Sequence, residues 1–351
     1  MKNKIAPRKA LVKLHERPPM LEDRRGKLRL DMNESLAGCS PRVRAALRSL
    51  DSAALSMYPE KGIAASRIAP FFGVRADELV LTGGIDDALR LIADVFLERG
   101  RSVLLVEPTF PMYRFYAEQR KARLRTLRCD EQMQFPLRDV LRALHDAPAV
   151  FFLANPNNPT GTLLGKNALA QIVNAATRTL VVIDEAYFEF SGVTALPWIR
   201  HRKNLAVTRT FSKASGLAGL RIGCLFAYRD IATILRRAQA PFPLGVASLV
   251  AAQAALRDPQ FVRRAVGQIL RGRKILEAGL RGFGVKIFPS AANFVLADFG
   301  ARGPEIVAAL ARREILIRDQ SCSAGRVGFA RITAGTPAEM RRFLRELAQV
   351  I

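Results

Sequence analysis

One lysine in a chain crowded with solvated cations is set apart by its neighbours. In "TRTFSKASGLAGLRIG" (Thr208–Gly223), Lys213 comes after an apolar run and two hydroxyl residues, Thr210 and Ser212. Gly216, Gly219, Arg221 and Gly223 follow it. Backbone amides and hydroxyls on such a turn can surround an anion. A lysine desolvated there, or placed beside a cation such as Arg221, gives up its proton more readily and can form a Schiff base. Most lysines are simply solvated, but a solvated lysine needs no such setting.

Three other stretches offer matching chemistry. "VVIDEAYFEF" closes an apolar run on Asp184, a buried carboxylate that is costly unless it meets a cation or a proton donor. Its ordinary use would be to cap a helix. "NPNNPTG" (Asn155–Gly161) is a Pro- and Asn-rich turn, which taken alone is a loop. "LTGGIDDAL" passes from a strand through Gly83 and Gly84 to a helix start at Ile85, so free amides face whatever anion sits there. It is neither G-x-G-x-x-G nor a P-loop, and implies neither a dinucleotide nor ATP. Beside a Schiff-base lysine, Asp184 finds its partner in the ring nitrogen of a pyridinium cofactor.

The elements that position these residues alternate. Short apolar runs ("ELVLT", "SVLLVEP", "AVFFLANP", "TLVVIDEA", "NLAVTRTF", "RIGCLFA") are separated by amphipathic helical patterns. This describes an α/β fold with a mostly parallel central sheet covered by helices on both faces. Sites in such sheets form outside the carboxyl ends of the strands, and the polar residues of four runs fall there. From about Ala251 long helices lead into "VKIFPSAANFVLADF", "ILIRDQ", "GFARITAG" and a last helix, the pattern of a smaller α+β domain. The expected division is a large domain over 48–250 and a small one made of 1–47 and 251–351.

Composition narrows the class. The 351 residues are 49% hydrophobic and 25% charged, an ordinary globular balance. No apolar run approaches the length of a spanning helix and no signal peptide is evident, so the expected location is the cytoplasm with no membrane partner. Cys39, Cys129, Cys224 and Cys322 lie far apart, which fits reduced thiols and no metal site. The net charge of +24 favours polyanions. Yet its arginines are spread along the chain without a basic tail or an aromatic-interleaved strip, so no dedicated nucleic-acid role is expected.

The ordered set Asn155–Gly161, Asp184–Phe190, Ser212-Lys213 and Gly219-x-Arg221-x-Gly223 resembles the fold-type I, class I/II pyridoxal-phosphate aminotransferases, and among them the histidinol-phosphate aminotransferases. "DMNES", "MYPE", "EPTFPMY", "AANFVL" and "ARITAGT" extend the resemblance nearly end to end. It implies pyridoxal 5'-phosphate as cofactor, with Lys213 as the Schiff-base lysine and later proton carrier. Asp184 would hold the ring nitrogen protonated, Asn158 and Tyr187 would bond the ring's 3-oxygen, and Phe110 would stack on its face where the family usually has Tyr. Thr210, Ser212, Arg221 and the amides of Gly84 and Ile85 would bind the phosphate, with Tyr58 reaching it from a second subunit of a homodimer. Arg331, Arg318 thirteen residues before it, and Asn33 would contact substrate.

The implied reaction is transamination between L-histidinol phosphate and 2-oxoglutarate, giving imidazole acetol phosphate and glutamate in histidine biosynthesis. In one respect the chain departs from the family. Near the N-terminus "ERPPMLEDRRGK" has no tyrosine where the family usually places one against the substrate phosphate, so either nearby arginines substitute or the substrate differs. An aromatic amino-acid aminotransferase or a threonine-phosphate decarboxylase would share nearly every motif. A basic regulator built on the same domain would need an appended DNA-reading module, and no residues are left over for one.

Overall fold

The structure is a computed structural model that describes residues 24–321 and 327–351. All six apolar runs form strands: β2 (Leu79–Thr82), β3 (Ser102–Glu107), β5 (Val150–Ala154), β6 (Leu180–Asp184), β7 (Leu205–Thr210) and β8 (Gly223–Ala227). With β4 (Arg123–Arg128) they make a seven-stranded sheet of order β2-β8-β7-β6-β5-β3-β4. The pairs β4·β3, β3·β5, β5·β6 and β6·β7 are parallel, and β8 is antiparallel to both neighbours.

These strands read as unbroken apolar runs because both faces are covered. Leu104, Phe151, Val181, Val207 and Phe226 face one core, with Ile68 of α3 (Lys61–Ile68), Ile172 of α7 (Lys166–Ala175) and Leu249 of α10 (Val246–Leu256). The alternate residues Val103, Phe152, Val182, Ala206 and Leu225 face the other. That core also holds Leu89 of α4 (Ile85–Phe96) and Tyr113 of α5 (Met112–Gln119). β4 lies at the sheet's edge with Arg123 and Arg128 exposed and Arg125 half-buried, so it carries no apolar signature.

A second sheet, of order β1-β11-β12-β10-β9, joins β1 (Leu28–Leu30), β9 (Lys286–Ile287), β10 (Phe294–Asp298), β11 (Ile315–Asp319) and β12 (Phe329–Thr333). It is antiparallel except for the parallel β1·β11 pair. Its core packs against Leu276 of α11 (Pro259–Gly282), Leu310 of α12 (Gly303–Arg312) and Phe343 of α13 (Pro337–Leu347). Val43 of α1 (Pro41–Arg48), although early in the chain, packs with the first sheet's core. Cys39 and Cys129 are half-buried free thiols and Cys224 is a buried one, while Cys322 and the segment Pro18–Met20 lie outside the described residues.

Candidate active site

Four strand ends deliver the polar residues to one edge of the large sheet. β8 is antiparallel to both β2 and β7, so β2 runs with the parallel strands and ends on their side. Ala154, Asp184 and Thr210 close β5, β6 and β7 there, and Thr82 closes β2. The turn after β5 is more than a loop. Asn155 bonds both the amide and the carbonyl of Leu164, at 2.7 and 3.1 Å. Asn157 accepts from the Thr109 hydroxyl at 2.8 Å and donates to the Pro108 carbonyl at 2.8 Å, tying the segment that carries Phe110 to the one that carries Asn158.

Lys213 sits on the β7–β8 connection, partly buried, with Nζ donating to the Met32 carbonyl at 2.9 Å. Burial lowers its pKa from 10.5 to about 8. Arg331 and Arg221 push the same way, and Glu34 and Asp86 oppose them. The turn is held by close approach: a Cβ on Gly216, whose φ is +70°, would lie 2.1 Å from the Gly38 carbonyl oxygen. Only glycine fits both the left-handed backbone and the contact. Behind the turn, buried Glu185 accepts from Arg209 at 3.0 Å and from the Ala195 amide at 2.7 Å, bracing the ends of β6 and β7.

Asp184 is buried, and desolvation pushes its pKa up from 3.8 to about 6 against the hydrogen bonds that favour its charge. Tyr113 donates to Oδ2 at 2.8 Å and the Ala186 amide donates to Oδ1 at 3.1 Å. Tyr113 stands in "EPTFPMY", but the sequence reading gave it no task. Its spacing of three from Phe110 across a helix start was the available signal, and Phe110 meets it edge-on at 5.7 Å.

Where the two sheets meet, Arg331 of β12 is buried. Nη1 donates to Asn158 Oδ1 at 2.6 Å, Nη2 donates to the Asp31 carbonyl, and among the described residues the buried Nε has no hydrogen-bond partner. Burial lowers the Arg331 pKa, and Arg318 lowers it further. The two arginines are directly opposed across β11 and β12, so their side chains leave the same face. Arg318 is exposed, and among the described residues no carboxylate pairs with it. Arg24, by contrast, is engaged by Asp31 at 2.6 Å and by Glu34 at 3.1 Å.

Asn33, at φ 55°, donates through Nδ2 to the Tyr187 hydroxyl oxygen at 2.9 Å. Its Oδ1 accepts from the Thr333 hydroxyl at 3.0 Å, and its carbonyl accepts from Asn293 at 3.1 Å. These bonds fix donor directions. Asn158 has Oδ1 occupied, which leaves its Nδ2 hydrogens to offer. The Tyr187 oxygen accepts from Asn33, which leaves its own hydrogen to offer. Burial raises the Tyr187 pKa, so that hydrogen is retained at neutral pH.

An anion cradle lies beside Lys213. Gly84 caps α4 without a side-chain bond, leaving the first amides of the helix, Ile85's among them, available. A Cβ on Gly84 would stand 2.6 Å from Arg221 Nη2, so glycine is what lets the guanidinium lie against the helix start. Arg221 also contacts Asp86 at 3.3 Å, and the buried hydroxyls of Thr210 and Ser212 border the same turn. Uncapped amides, a guanidinium and hydroxyls suit a phosphate, and the buried carboxylate with the unclaimed donors of Asn158 and Tyr187 suits a nitrogen-containing aromatic ring with an oxygen substituent. Tyr58 is not in this group within its own chain: it is 75% exposed and stacks on Phe242 at 4.1 Å.

Comparison with known proteins follows the same line. The family "Aminotransferase class I and II" matches residues 25–347. A curated relative, histidinol-phosphate aminotransferase 2 of Pseudomonas fluorescens, is 36% identical over 331 residues, covering 92% of this chain and 89% of its own. The crystal structure of histidinol-phosphate aminotransferase from Sinorhizobium meliloti in complex with pyridoxal-5'-phosphate superposes with a TM-score of 0.90 at 25% identity, covering 100% of this chain and 99% of the other. That of L-threonine-O-3-phosphate decarboxylase from Porphyromonas gingivalis gives 0.80 at 25% identity, covering 92% and 98%.

Proposed function

The chain belongs to the class I and II aminotransferases, and on that premise we propose that it uses pyridoxal phosphate to transfer the amino group of L-histidinol phosphate to 2-oxoglutarate, a step of histidine biosynthesis. The observation that carries the substrate is the opposed pair Arg318 and Arg331. Like charges facing across a sheet are unfavourable unless an anion lies between them. A phosphate's double charge answers two guanidinium groups better than a carboxylate does. Arg24 is engaged by Asp31 and Glu34, whereas Arg318 pairs with no carboxylate among the described residues and is a cation that could answer the substrate phosphate in place of the missing N-terminal tyrosine. Threonine phosphate is the second reading, because the decarboxylase shares the fold.

The cofactor supplies an aldehyde that condenses with amines and a protonated ring that takes up electrons from the reacting carbon. Each surrounding side chain has a definite task. Lys213, with a pKa of about 8, is roughly one-tenth neutral at pH 7, and it can take the proton from the substrate carbon bearing nitrogen and return it. Asp184 would keep the ring nitrogen protonated. Asn158 Nδ2 and the Tyr187 hydroxyl would donate to the ring oxygen, and Phe110 would cover one face. Arg221, Thr210, Ser212 and the amides of Gly84 and Ile85 would hold the phosphate. Arg331 would grip the substrate phosphate in one half-reaction and a carboxylate in the other, with Asn33 lining the same wall.

We further propose a cytoplasmic homodimer. Leu55, Met57, Tyr58 and Phe242 are exposed, with Tyr58 stacked on Phe242, and a second copy would cover them and bring Tyr58 to the partner's phosphate site. No helix of the described residues is long and apolar enough to cross a membrane. The division into 48–250 against 1–47 with 251–351 remains our proposal for the two lobes, with Val43 and Ala251–Ala255 packed into the larger one. The test is Lys213→Ala. The variant should bind pyridoxal phosphate without a borohydride-reducible link and show no transamination, and retained turnover would sink the assignment.

A further inference from the structure

Tyr113 is fully buried although it carries a hydroxyl, and the tasks described above give that hydroxyl nothing to do. Its ring is clamped parallel to Phe152 of β5, with centroids 5.2 Å apart and planes 2° apart, and Phe110 meets it edge-on. A phenylalanine would fill this slot without burying a polar atom, which is costly unless the atom is bonded. The bond it makes is the one to Asp184 Oδ2. With the Ala186 amide on Oδ1, each carboxylate oxygen has a fixed donor, which sets the plane of the carboxylate, and the nearby Thr208 hydroxyl also favours its charged form.

The titratable groups acting on Asp184 are Tyr113 from α5, Tyr187 just beyond β6, and Asp86 from α4. Asp86 opposes ionisation of Asp184. Burial, and then Asp184 itself, push the Tyr113 hydroxyl well above its ordinary pKa, so it stays a donor throughout the working range. A fixed neutral donor favours the charged form of its acceptor.

We propose that Tyr113 is a positioning residue whose hydroxyl keeps Asp184 ionised and turned toward the cofactor's ring nitrogen. Its ring meanwhile fixes the aromatic face that Phe110 presents. The inference rests on the reading of Asp184 as that nitrogen's partner.

The test compares dissociation constants of cofactor-free protein for pyridoxal phosphate and for its analogue with CH in place of the ring nitrogen. Tyr113→Phe keeps the ring and removes only the oxygen. It should weaken pyridoxal phosphate about tenfold and leave the analogue's affinity unchanged. In an Asp184→Asn background it should have no further effect. Equal weakening for both ligands would mean that Tyr113 only fills space, and no weakening for either would mean that the bond is idle; both overturn the proposal. If wild-type protein binds the two ligands alike, the reading of Asp184 itself fails. If wild type prefers pyridoxal phosphate and Tyr113→Phe keeps the full preference, only the role of Tyr113 fails.

Discussion

Replacing Arg318 with glutamine removes one of the two arginines that the β11·β12 register pairs, and it should move stability and substrate affinity in opposite directions. Directly opposed residues have Cβ atoms about 5 Å apart. Two charges about 6 Å apart repel by about 0.7 kcal/mol at water's dielectric and about 2.8 kcal/mol at an effective dielectric of 20. Because Arg318 is exposed, the lower figure applies. The ligand-free variant should therefore melt about 1 °C higher.

Binding of a phosphate loses more. A charge-assisted hydrogen bond contributes about 1.5–3 kcal/mol, so KM for histidinol phosphate should rise about 10- to 100-fold. Glutamate, whose carboxylate Arg331 can grip alone, should change by less than about threefold. Initial rates of the two half-reactions, at low and high salt, read this split. Equal losses for both substrates, or a variant that melts lower and loses activity uniformly, would refute the reasoning that the pair is poised for a dianion.

Burial holds Lys213 at about 8 instead of 10.5, so between those pH values the unfolded chain binds a proton that the folded chain does not. Stability of the cofactor-free protein should rise with pH through that window. Lys213→Met should stabilise it by up to about 3 kcal/mol at pH 7 and lose that advantage near pH 10.5, as read by urea unfolding; a constant difference would contradict the depressed pKa. Gly216→Ala forces a Cβ onto the Gly38 carbonyl and should cost more than about 3 kcal/mol, with loss of cofactor affinity. Gly219→Ala, with nothing within 4 Å of the added atom, should cost about 1 kcal/mol or less. Calorimetry of the pair checks both.

The large sheet was legible in the sequence because strands covered on both faces carry their burial in every residue, as "FFLA" and "LVVI" do. β4 was not, because an edge strand bearing Arg123, Arg125 and Arg128 shows neither alternation nor an apolar run. Asp184 could be recognised as a buried carboxylate in need of a partner, but Tyr113, the partner the protein supplies, lies 71 residues away and is reached only through the fold. The family resemblance singled out Arg318 and Arg331, and the antiparallel register, which sets the two opposite each other, is visible only in the fold. The engagement of Arg24 by Asp31 and Glu34 carries no periodic signal and is seen only in the fold.

The most direct test of the substrate assignment is a single-turnover absorbance measurement on protein loaded with pyridoxal phosphate. L-histidinol phosphate, L-phenylalanine and L-threonine phosphate are each added without keto acid. Histidinol phosphate should convert the cofactor to its amine form far faster than the other two. Faster conversion by phenylalanine would contradict the dianion reading of Arg318 and Arg331, and release of carbon dioxide from threonine phosphate would place the chain with the decarboxylases.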